Sequence, residues 1–173
     1  MAYLHGHHIL HRDLKPDNVL LQDTAKGVVA KVADLGLGAI LTAGTTHLSD
    51  ARVGTQLYMA PEVLQGRTSP AGDVYSFGVV AWELLHGRTI WTRLHQITQE
   101  PRYLQCLDPH PRLFDHGWPV PPTTAPQPPT VKGLRDMVDC CLQREPHARP
   151  SFQDLLHWLA LLQQLHSGQA SAT

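Results

Sequence analysis

The chain has 173 residues, 42% of them hydrophobic, and a formal net charge of −1. This length and composition are typical of one globular domain with its own core, and they exclude an intrinsically disordered chain. No run of Lys or Arg is present, so we expect neither a nucleic-acid surface nor a basic membrane-binding surface.

The cysteines and the hydropathy pattern bear on the compartment. The chain has three cysteines, Cys106 and the adjacent Cys140 and Cys141. We interpret the adjacent pair as two helix side chains rather than a vicinal disulfide, as is typical of a reducing compartment. No signal peptide is visible, and the longest apolar stretch, residues 74–85, is too short to span a bilayer. We therefore expect a cytoplasmic protein with no membrane segment in this chain.

The first predicted elements are two short strands and a long loop. Residues 19–21 and 28–33 are β-prone, and the link between them at 23–27 ends in glycine, which predicts a hairpin. Residues 34–67 are rich in Gly, Thr and Ala and have no sustained period. They predict a long functional loop.

A buried helix follows. Asp73 is expected to cap a helix that runs to about Leu85 and ends at Gly87. Apolar residues nearly all round this helix predict burial on most of its sides. Between Pro109 and Pro129 lie eight of the fourteen prolines, which disfavours both helix and strand. We interpret residues 109–129 as an extended surface insertion, either a plain linker loop or a ligand for a proline-binding module.

The last third of the chain is predicted to be helical. One apolar stripe follows helical spacing in Leu134, Met137, Val138, Cys141 and Leu142. A second amphipathic helix is expected to begin at Pro150-Ser151 and to use Phe152, Leu155, Leu156, Leu159, Leu162 and Leu165. The small polar residues 167–173 predict a disordered tail.

The residues that carry chemistry are concentrated at positions 11–18, HRDLKPDN. Phosphoryl transfer needs a carboxylate to accept the proton of the attacking hydroxyl, an ammonium on the transferring phosphate, and oxygen ligands for Mg²⁺. Asp13, Lys15 and Asn18 offer these three groups within one short loop. Asp34 in Asp-Leu-Gly, beyond the hairpin, supplies a second carboxylate for the metal, and its glycine allows a sharp turn.

These motifs resemble those of the eukaryotic protein kinase family, in the expected order of catalytic loop, metal motif and Ala-Pro-Glu. The resemblance implies that Asp13 is the base, that Lys15 contacts the γ-phosphate of ATP, and that Asn18 and Asp34 bind Mg²⁺. Leu20 would lie beneath the adenine. Lysine at position 15 points to a serine/threonine kinase acting on a protein substrate, and residues 73–80 are similar to the tyrosine-kinase-like group.

The resemblance also assigns supporting residues. Thr55 is expected near Asp13 and Lys15, and Asp73 is expected to hold the backbone of the catalytic loop. Arg149 is expected to pair with Glu62 of Ala-Pro-Glu, and Arg12 to meet an activating phosphate. The candidate phosphorylation sites are Thr42, Thr45, Thr46 and Ser49, of which Ser49 and Thr46 are preferred.

The resemblance begins part-way into the kinase domain, which sets the expected fold. It implies a mainly α (α+β overall) C-terminal lobe at residues 1–166, with a small β-hairpin at the catalytic edge. We expect the N-terminal lobe, with its glycine-rich loop and strand lysine, to be absent from this chain. Several apolar side chains of residues 74–85 are expected to be uncovered. We therefore expect the isolated chain to be marginally folded, to bind ATP weakly or not at all, and to be inactive.

Two other functions remain open. A truncated kinase-like lobe could be a docking or scaffold module without catalysis. His5, His7, His8 and His11 could chelate a transition metal, although no cysteine or carboxylate nearby in the sequence completes a tetrahedral set.

Overall fold

In the computed structural model, the described residues are 1–36, 39–40, 56–97 and 128–170. They are mostly helical, with small antiparallel sheets. The helices are α1 (Ala2–Gly6), α2 (Pro61–Leu64), α3 (Pro70–His86), α4 (Ile90–Ile97), α5 (Pro129–Cys141) and α6 (Phe152–Ala170). The strands are β1 (Ile9–Leu10), β2 (Val19–Thr24), β3 (Gly27–Val32) and β4 (Ala39–Ile40), and short 3₁₀ turns occur at Pro16–Asn18 and Pro146–Ala148.

The predicted hairpin is present, but its turn has two residues, Ala25 and Lys26, and the predicted five-residue link at 23–27 is wrong. β2 pairs antiparallel with β3 from Val19 opposite Val32 to Thr24 opposite Gly27. Gly27 has a φ of 110°, a conformation that favours glycine, and the Thr24 hydroxyl donates to the Gly27 carbonyl at 2.6 Å. The hairpin connects the loop at residues 11–18 to Asp34.

The second small sheet was not predicted. β1 pairs antiparallel with β4, with Ile9 opposite Ile40 and Leu10 opposite Ala39. Two residues per strand are too few to give a period in the sequence. This pairing brings the chain beyond Asp34 back beside the strand that leads into residues 11–18.

Helix α3 begins earlier than expected. It starts at Pro70 after the N-cap residue Ser69, so the prediction that Asp73 caps the helix is wrong. Proline suits the first position of a helix because its missing N–H would have no intrahelical partner there. The carboxylate of Asp73 is occupied instead by the chain near residue 11. The helix ends at Gly87 in the left-handed conformation, as predicted.

The core forms where α5 and α6 pack with α3. Val79 of α3, Val138 and Cys141 of α5, and Leu155 of α6 are all buried. Gly78 lets α3 approach α5 closely, because a Cβ at this position would lie 2.7 Å from the Cβ of Cys141. The predicted apolar stripe of α5 is therefore confirmed. Cys140 and Cys141 are both free thiols on this helix, as predicted.

Helix α6 extends farther than expected. It continues through Ala170, so the predicted start of a disordered tail at Ser167 is wrong. The Ser167 hydroxyl bonds to the carbonyl of Gln163 within the helix, and alanine is a strong helix former. The amphipathic pattern is only partly realised, since Leu155 and Leu162 are buried whereas Leu156 is 52% exposed.

An apolar groove of about 320 Å³ runs between α1, the hairpin, α3 and α6. Phe77, Val80 and Leu84 of α3 line it, and Leu84 is 79% exposed. The expectation of several uncovered apolar side chains within residues 74–85 is met only in part, since Phe77 and Val80 are partly buried against the core and only Leu84 and Leu85 are exposed.

The proline-rich stretch lies outside the described residues up to position 127, and α5 begins at its last proline. Across the ranges that the structure describes, no helix is long and apolar enough to cross a bilayer.

Candidate active site

One buried carboxylate holds the backbone at the start of residues 11–18. Asp73 Oδ2 accepts the N–H of His11 at 2.8 Å, and Asp73 Oδ1 accepts the N–H of Arg12 at 2.8 Å. Arg12 has a φ of 69°, a left-handed conformation that costs a non-glycine residue about 1–2 kcal/mol. The two bonds from Asp73 stabilise this turn, and the turn directs the next residue, Asp13, into the site.

The side chains of Asp13, Lys15 and Asn18 converge as one cluster. Asp13 Oδ2 accepts from Lys15 Nζ at 2.7 Å and from Asn18 Nδ2 at 3.1 Å. Asn18 Nδ2 also donates to the backbone carbonyl of Asp13 at 2.7 Å. The 3₁₀ turn that starts at Pro16 brings Asn18 back toward Asp13. The side chains of these three residues, which are close in sequence, thus meet at the carboxylate of Asp13.

The two oxygens of Asp13 differ in their environment. Oδ2 has both side-chain partners, whereas Oδ1 is buried and makes no hydrogen bond within the part of the chain that the structure describes. A buried carboxylate oxygen without a partner is costly unless a donor reaches it. Asp13 Oδ1 therefore has acceptor capacity that none of the described residues uses.

His11 ties this cluster to the far end of the hairpin. Its ring is fully buried, and its Nε2 donates to the carbonyl of Ala33 at 3.0 Å. Its Nδ1 accepts the N–H of Asp13 at 3.3 Å, which is consistent with a neutral ring protonated on Nε2. His11 therefore links Asp13 to the residue that precedes Asp34.

Asn18 and Asp34 carry oxygen atoms suited to a hard cation. Because Asn18 donates through Nδ2, its Oδ1 remains an acceptor. The N–H of Ala33 donates to the Asn18 carbonyl at 2.8 Å, so Asp34 follows a residue held beside Asn18. Asp34 has a φ of 59°, and its Oδ1 accepts the Gly36 N–H at 3.1 Å. An amide oxygen and an exposed carboxylate fit Mg²⁺, which prefers oxygen ligands and retains several waters.

A Cβ at position 36 would lie 2.9 Å from Asp34 Oδ1. Any other residue in place of Gly36 would therefore crowd the Asp34 carboxylate.

Glu62 and Arg149 form a buried bidentate ion pair. The Arg149 guanidinium contacts the two Glu62 oxygens at 2.6 and 2.9 Å. It also donates to the carbonyls of Gln143, Ala71 and Arg144. This pair joins α2 to the start of α3 and to the turn before α6.

One buried carboxylate was not singled out from the sequence. Glu83 accepts the Tyr58 hydroxyl at 2.9 Å and the N–H of Ile90 at 2.6 Å. Burial raises the pKa of Tyr58 strongly, and the bond to Glu83 raises it further. Ser76 also donates to the Tyr58 carbonyl at 2.8 Å. The sequence did contain one indication of this role, because Glu83 interrupts the apolar residues 74–85.

The remaining predicted site residues lie on the hairpin or outside the described residues. Leu20, which the resemblance placed beneath the adenine, lies on β2 and is 56% exposed. Outside the described residues lie Thr55 and the candidate phosphorylation sites Thr42, Thr45, Thr46 and Ser49.

The histidine metal site is not formed. His5 contacts Asp73, His7 contacts the Tyr3 carbonyl, and His11 contacts the Ala33 carbonyl. Within the described ranges, no group of three or more His, Cys, Asp or Glu side chains could hold a metal ion.

Comparison of the sequence with known protein families identifies the family. The protein kinase domain family matches residues 1–159. The chain belongs to this family. It is 40% identical over 162 residues to receptor-interacting serine/threonine-protein kinase 3 of Rattus norvegicus, covering 89% of this chain and 32% of that protein.

Two further relatives are also named as protein kinases. The Homo sapiens protein of the same name is 34% identical over 166 residues, covering 90% of this chain and 30% of that protein. A Drosophila melanogaster protein, "Putative mitogen-activated protein kinase kinase kinase 7-like", is 29% identical over 171 residues, covering 97% of this chain and 39% of that protein. The kinase-domain chain thus spans about a third of the length of these curated relatives.

Proposed function

We propose that this chain is the catalytic-loop part of a serine/threonine protein kinase, corresponding to the C-terminal lobe, which transfers the γ-phosphate of ATP to protein hydroxyls. The observation that carries the proposal is the state of Asp13. One of its oxygens is held by Lys15 and Asn18, and the other is buried without a partner among the described residues.

The side chains suggest how the reaction proceeds. A substrate hydroxyl that donates to the Asp13 carboxylate is oriented for attack and passes its proton to that carboxylate. Its oxygen forms a bond to the γ-phosphorus as the bond from phosphorus to the bridging oxygen of ADP breaks. Lys15, held at Asp13, supplies positive charge where the transferred group is negative.

Asn18 and Asp34 would hold Mg²⁺ in this proposal. When bound, the metal neutralises phosphate charge and orients the transferred group. The backbone bond from Ala33 to Asn18 keeps the two ligand-bearing segments together.

Serine/threonine specificity rests on two supports. The first is Lys15, which the resemblance associates with kinases that act on serine and threonine. The second is the printed names of the relatives from Rattus norvegicus and Homo sapiens, both called serine/threonine-protein kinases. The cytoplasm is part of the same proposal, since the free thiols of Cys140 and Cys141 fit a reducing compartment.

We expect the chain alone to be inactive. Leu20, assigned to the adenine site, is more than half exposed, and Leu21 beside it is 73% exposed. A nucleotide site normally encloses most of its ligand between apolar walls. Within the ranges that the structure describes, the hairpin offers one wall only, so weak or absent ATP binding is expected.

The apolar groove favours a second function, a docking module without catalysis. Apolar surface of this kind on a folded chain is typical of an interaction site. The intact cluster of Asp13, Lys15 and Asn18 favours the kinase, because a docking module does not need these groups in this geometry.

The test compares the chain alone with a chimera in which the N-terminal part of the rat relative's kinase domain precedes it. Titration with Mg²⁺·ATP and phosphate transfer to a serine-containing protein are measured on both. Asp13→Asn in the chimera is expected to lower transfer by at least about 100-fold, the size of a general-base contribution.

Asp17→Asn is the matched control, since Asp17 is an exposed carboxylate in the same loop and should leave transfer unchanged. A folded chimera that binds Mg²⁺·ATP but transfers no phosphate would refute the kinase proposal and favour docking. Steady transfer by the chain alone would refute its expected inactivity.

A further inference from the structure

The hairpin of β2 and β3 has an apolar face that continues from the groove. Val19, Ala30 and Val32 line the groove. Because side chains alternate along a strand and directly opposite residues share a face, Leu21 and Val28 lie on the same face as these three. Leu21 is 73% exposed and Val28 is 64% exposed. The apolar face therefore extends out of the groove toward the turn of the hairpin, where the described residues leave it largely uncovered.

Strand β3 is an edge strand of this hairpin. All six of its residues, Gly27–Val32, are exposed, and within the part of the chain that the structure describes it belongs to a sheet of two strands. An edge strand presents N–H and C=O groups with which another strand can pair. A two-stranded hairpin is marginally stable by itself in water, whereas a larger sheet with an apolar face is more stable. A further strand beside β3 would therefore stabilise the hairpin.

The charges of the two strands distinguish their edges. On β2, Asp23 lies on the apolar face, opposite Val28. A charge on that face of an edge strand discourages pairing with another strand. On β3, the apolar face holds Val28, Ala30 and Val32 and no charge. The one charged residue of β3 is Lys31, which lies on the opposite face. The edge of β3 is therefore better suited to pairing than the edge of β2.

We propose that β3 pairs antiparallel with β3 of a second copy of this chain, about a two-fold axis at Ala30. In this register Ala30 faces its equivalent, and Val28 faces Val32 of the copy, so both pairs lie on the apolar face. Lys31 faces Val29 of the copy, and no like charges lie directly opposite each other. The two hairpins form one four-stranded sheet with a continuous apolar face. This inference goes beyond the proposed function and does not depend on it.

A second copy suits this edge because the pattern of β3 is complementary to itself in the two-fold arrangement, in which each patch meets the same patch of the partner. The pairing covers Val28, Val29 and Val32, which are 64%, 42% and 42% exposed. It involves fewer residues than a standard interface, which buries about 800 Å² on each partner. We therefore expect a weak dimer, with a dissociation constant on the order of 10–100 µM.

The first experiment is sedimentation velocity on the whole chain. Protein concentrations from about 5 to 500 µM bracket the expected dissociation constant. The chain should shift from monomer to dimer over this range and should not grow further, because a two-fold contact closes on itself. A chain that stays monomeric throughout, or that assembles beyond the dimer, would overturn the proposal.

Two charge variants test the register. Ala30→Glu and Ala30→Lys each place two like charges opposite each other at the axis, so each should raise the dissociation constant at least about tenfold. An equimolar mixture of the two variants should dimerise again, because glutamate then faces lysine. Gln22→Glu is the matched control, since it introduces the same charge on the exposed β2 of the same hairpin and should leave the dissociation constant unchanged. Undiminished dimerisation of both Ala30 variants, or no recovery in the mixture, would refute the pairing at Ala30.

Hydrogen exchange on the wild type locates the contact without any substitution. The amides of residues 28–32 include those that would pair across the axis, so this segment should exchange more slowly at the highest protein concentration than at the lowest. The segment of β2 at residues 20–23 should change less, because β2 lies outside the contact. Equal exchange of residues 28–32 at both concentrations would overturn the proposal even if a dimer forms.

Discussion

Arg149 contacts both oxygens of Glu62, at 2.6 and 2.9 Å, and uses its remaining donors on three backbone carbonyls. All five N–H groups of the guanidinium are thus satisfied although the side chain is buried. The centre of the guanidinium also lies 5.0 Å from the centroid of the Tyr75 ring. Because 87 residues separate the partners, this contact joins parts of the chain that no local element connects.

Removing the guanidinium should therefore be severely destabilising. We expect Arg149→Met to cost on the order of 3–5 kcal/mol in the free energy of unfolding, because Glu62 is left as an uncompensated buried charge. Urea denaturation of the chimera, monitored by circular dichroism, measures this change, because the chain alone is expected to be only marginally folded. Arg149→Lys should recover only part of the loss, since an ammonium cannot bond both carboxylate oxygens and three carbonyls in this geometry.

An exposed ion pair provides the control. Lys132 and Asp136 are 2.6 Å apart on α5, with 74% and 48% of their side chains exposed. Lys132→Met should cost less than about 0.5 kcal/mol. Equal losses in Arg149→Met and Lys132→Met would contradict the structural role of the buried pair.

The close approach of α3 to α5 gives a second prediction. A Cβ on Gly78 would lie 2.7 Å from the Cβ of Cys141 and 3.1 Å from Leu142 Cδ2. The Cys141 Cβ is fixed by its helix backbone, so one helix must move. We expect Gly78→Ala to lower the free energy of unfolding by about 1–3 kcal/mol, despite alanine's better helix propensity.

Gly6→Ala is the control for that substitution, because a Cβ on Gly6 meets nothing within 4 Å. It should be neutral or slightly stabilising in the same urea titration. If the Gly78→Ala chain were as stable as the wild type, α3 and α5 would be able to move apart without a loss in the free energy of unfolding.

Much of this arrangement could be predicted from the sequence because it is local. Asp13, Lys15 and Asn18 lie within six residues, and the hairpin turn carries its own glycine signal at Gly27. The order of the motifs also indicated the family, which the match over residues 1–159 supports. Local spacing was sufficient for the residue cluster and the hairpin, whereas the family came from the resemblance of the motifs.

Other features depend on contacts that a local pattern does not record. The local pattern predicted that Asp73 caps its own helix, and only the family resemblance assigned it to the backbone of residues 11–18. Its oxygens are in fact used by residues 61 and 62 positions earlier in the chain. The partners of Glu83 are likewise set by packing, because Tyr58 and Ile90 reach it from opposite directions along the sequence. Short strands such as β1 and β4 become visible only once the chain folds back.

His86 gives a pH-dependent prediction. Its ring stacks on Trp82, with centroids 3.9 Å apart, and its Nδ1 donates to the Trp82 carbonyl at 2.7 Å. Burial lowers the pKa of His86 below 6.5, nearby arginines lower it further, and the bond to Trp82 opposes this. The unfolded chain therefore takes up a proton at His86 at a higher pH than the folded chain does.

The sign of the effect follows from this difference. The contribution of neutral His86 is fully present above pH 6.5 and is lost as the pH falls toward the lower pKa of the folded state. His86→Asn keeps an amide donor near the Nδ1 position but does not titrate. In urea titrations between about pH 7.5 and 5.5, it should lose less stability on acidification than the wild type. Parallel losses in the two proteins would assign the acid sensitivity to the other histidines.

Two side chains on α3 allow a direct test of which face of that helix is covered. Val79 is fully buried, whereas Leu84 lines the apolar groove and is 79% exposed. Val79→Ala should lower the free energy of unfolding by about 2 kcal/mol, from lost burial and the cavity left behind. Leu84→Ala removes more atoms but should change stability by less than about 0.5 kcal/mol, because the side chain gains little from folding. The midpoints of urea denaturation of the two variants test this prediction. A loss of stability in Leu84→Ala as large as in Val79→Ala would mean that the groove is closed in solution.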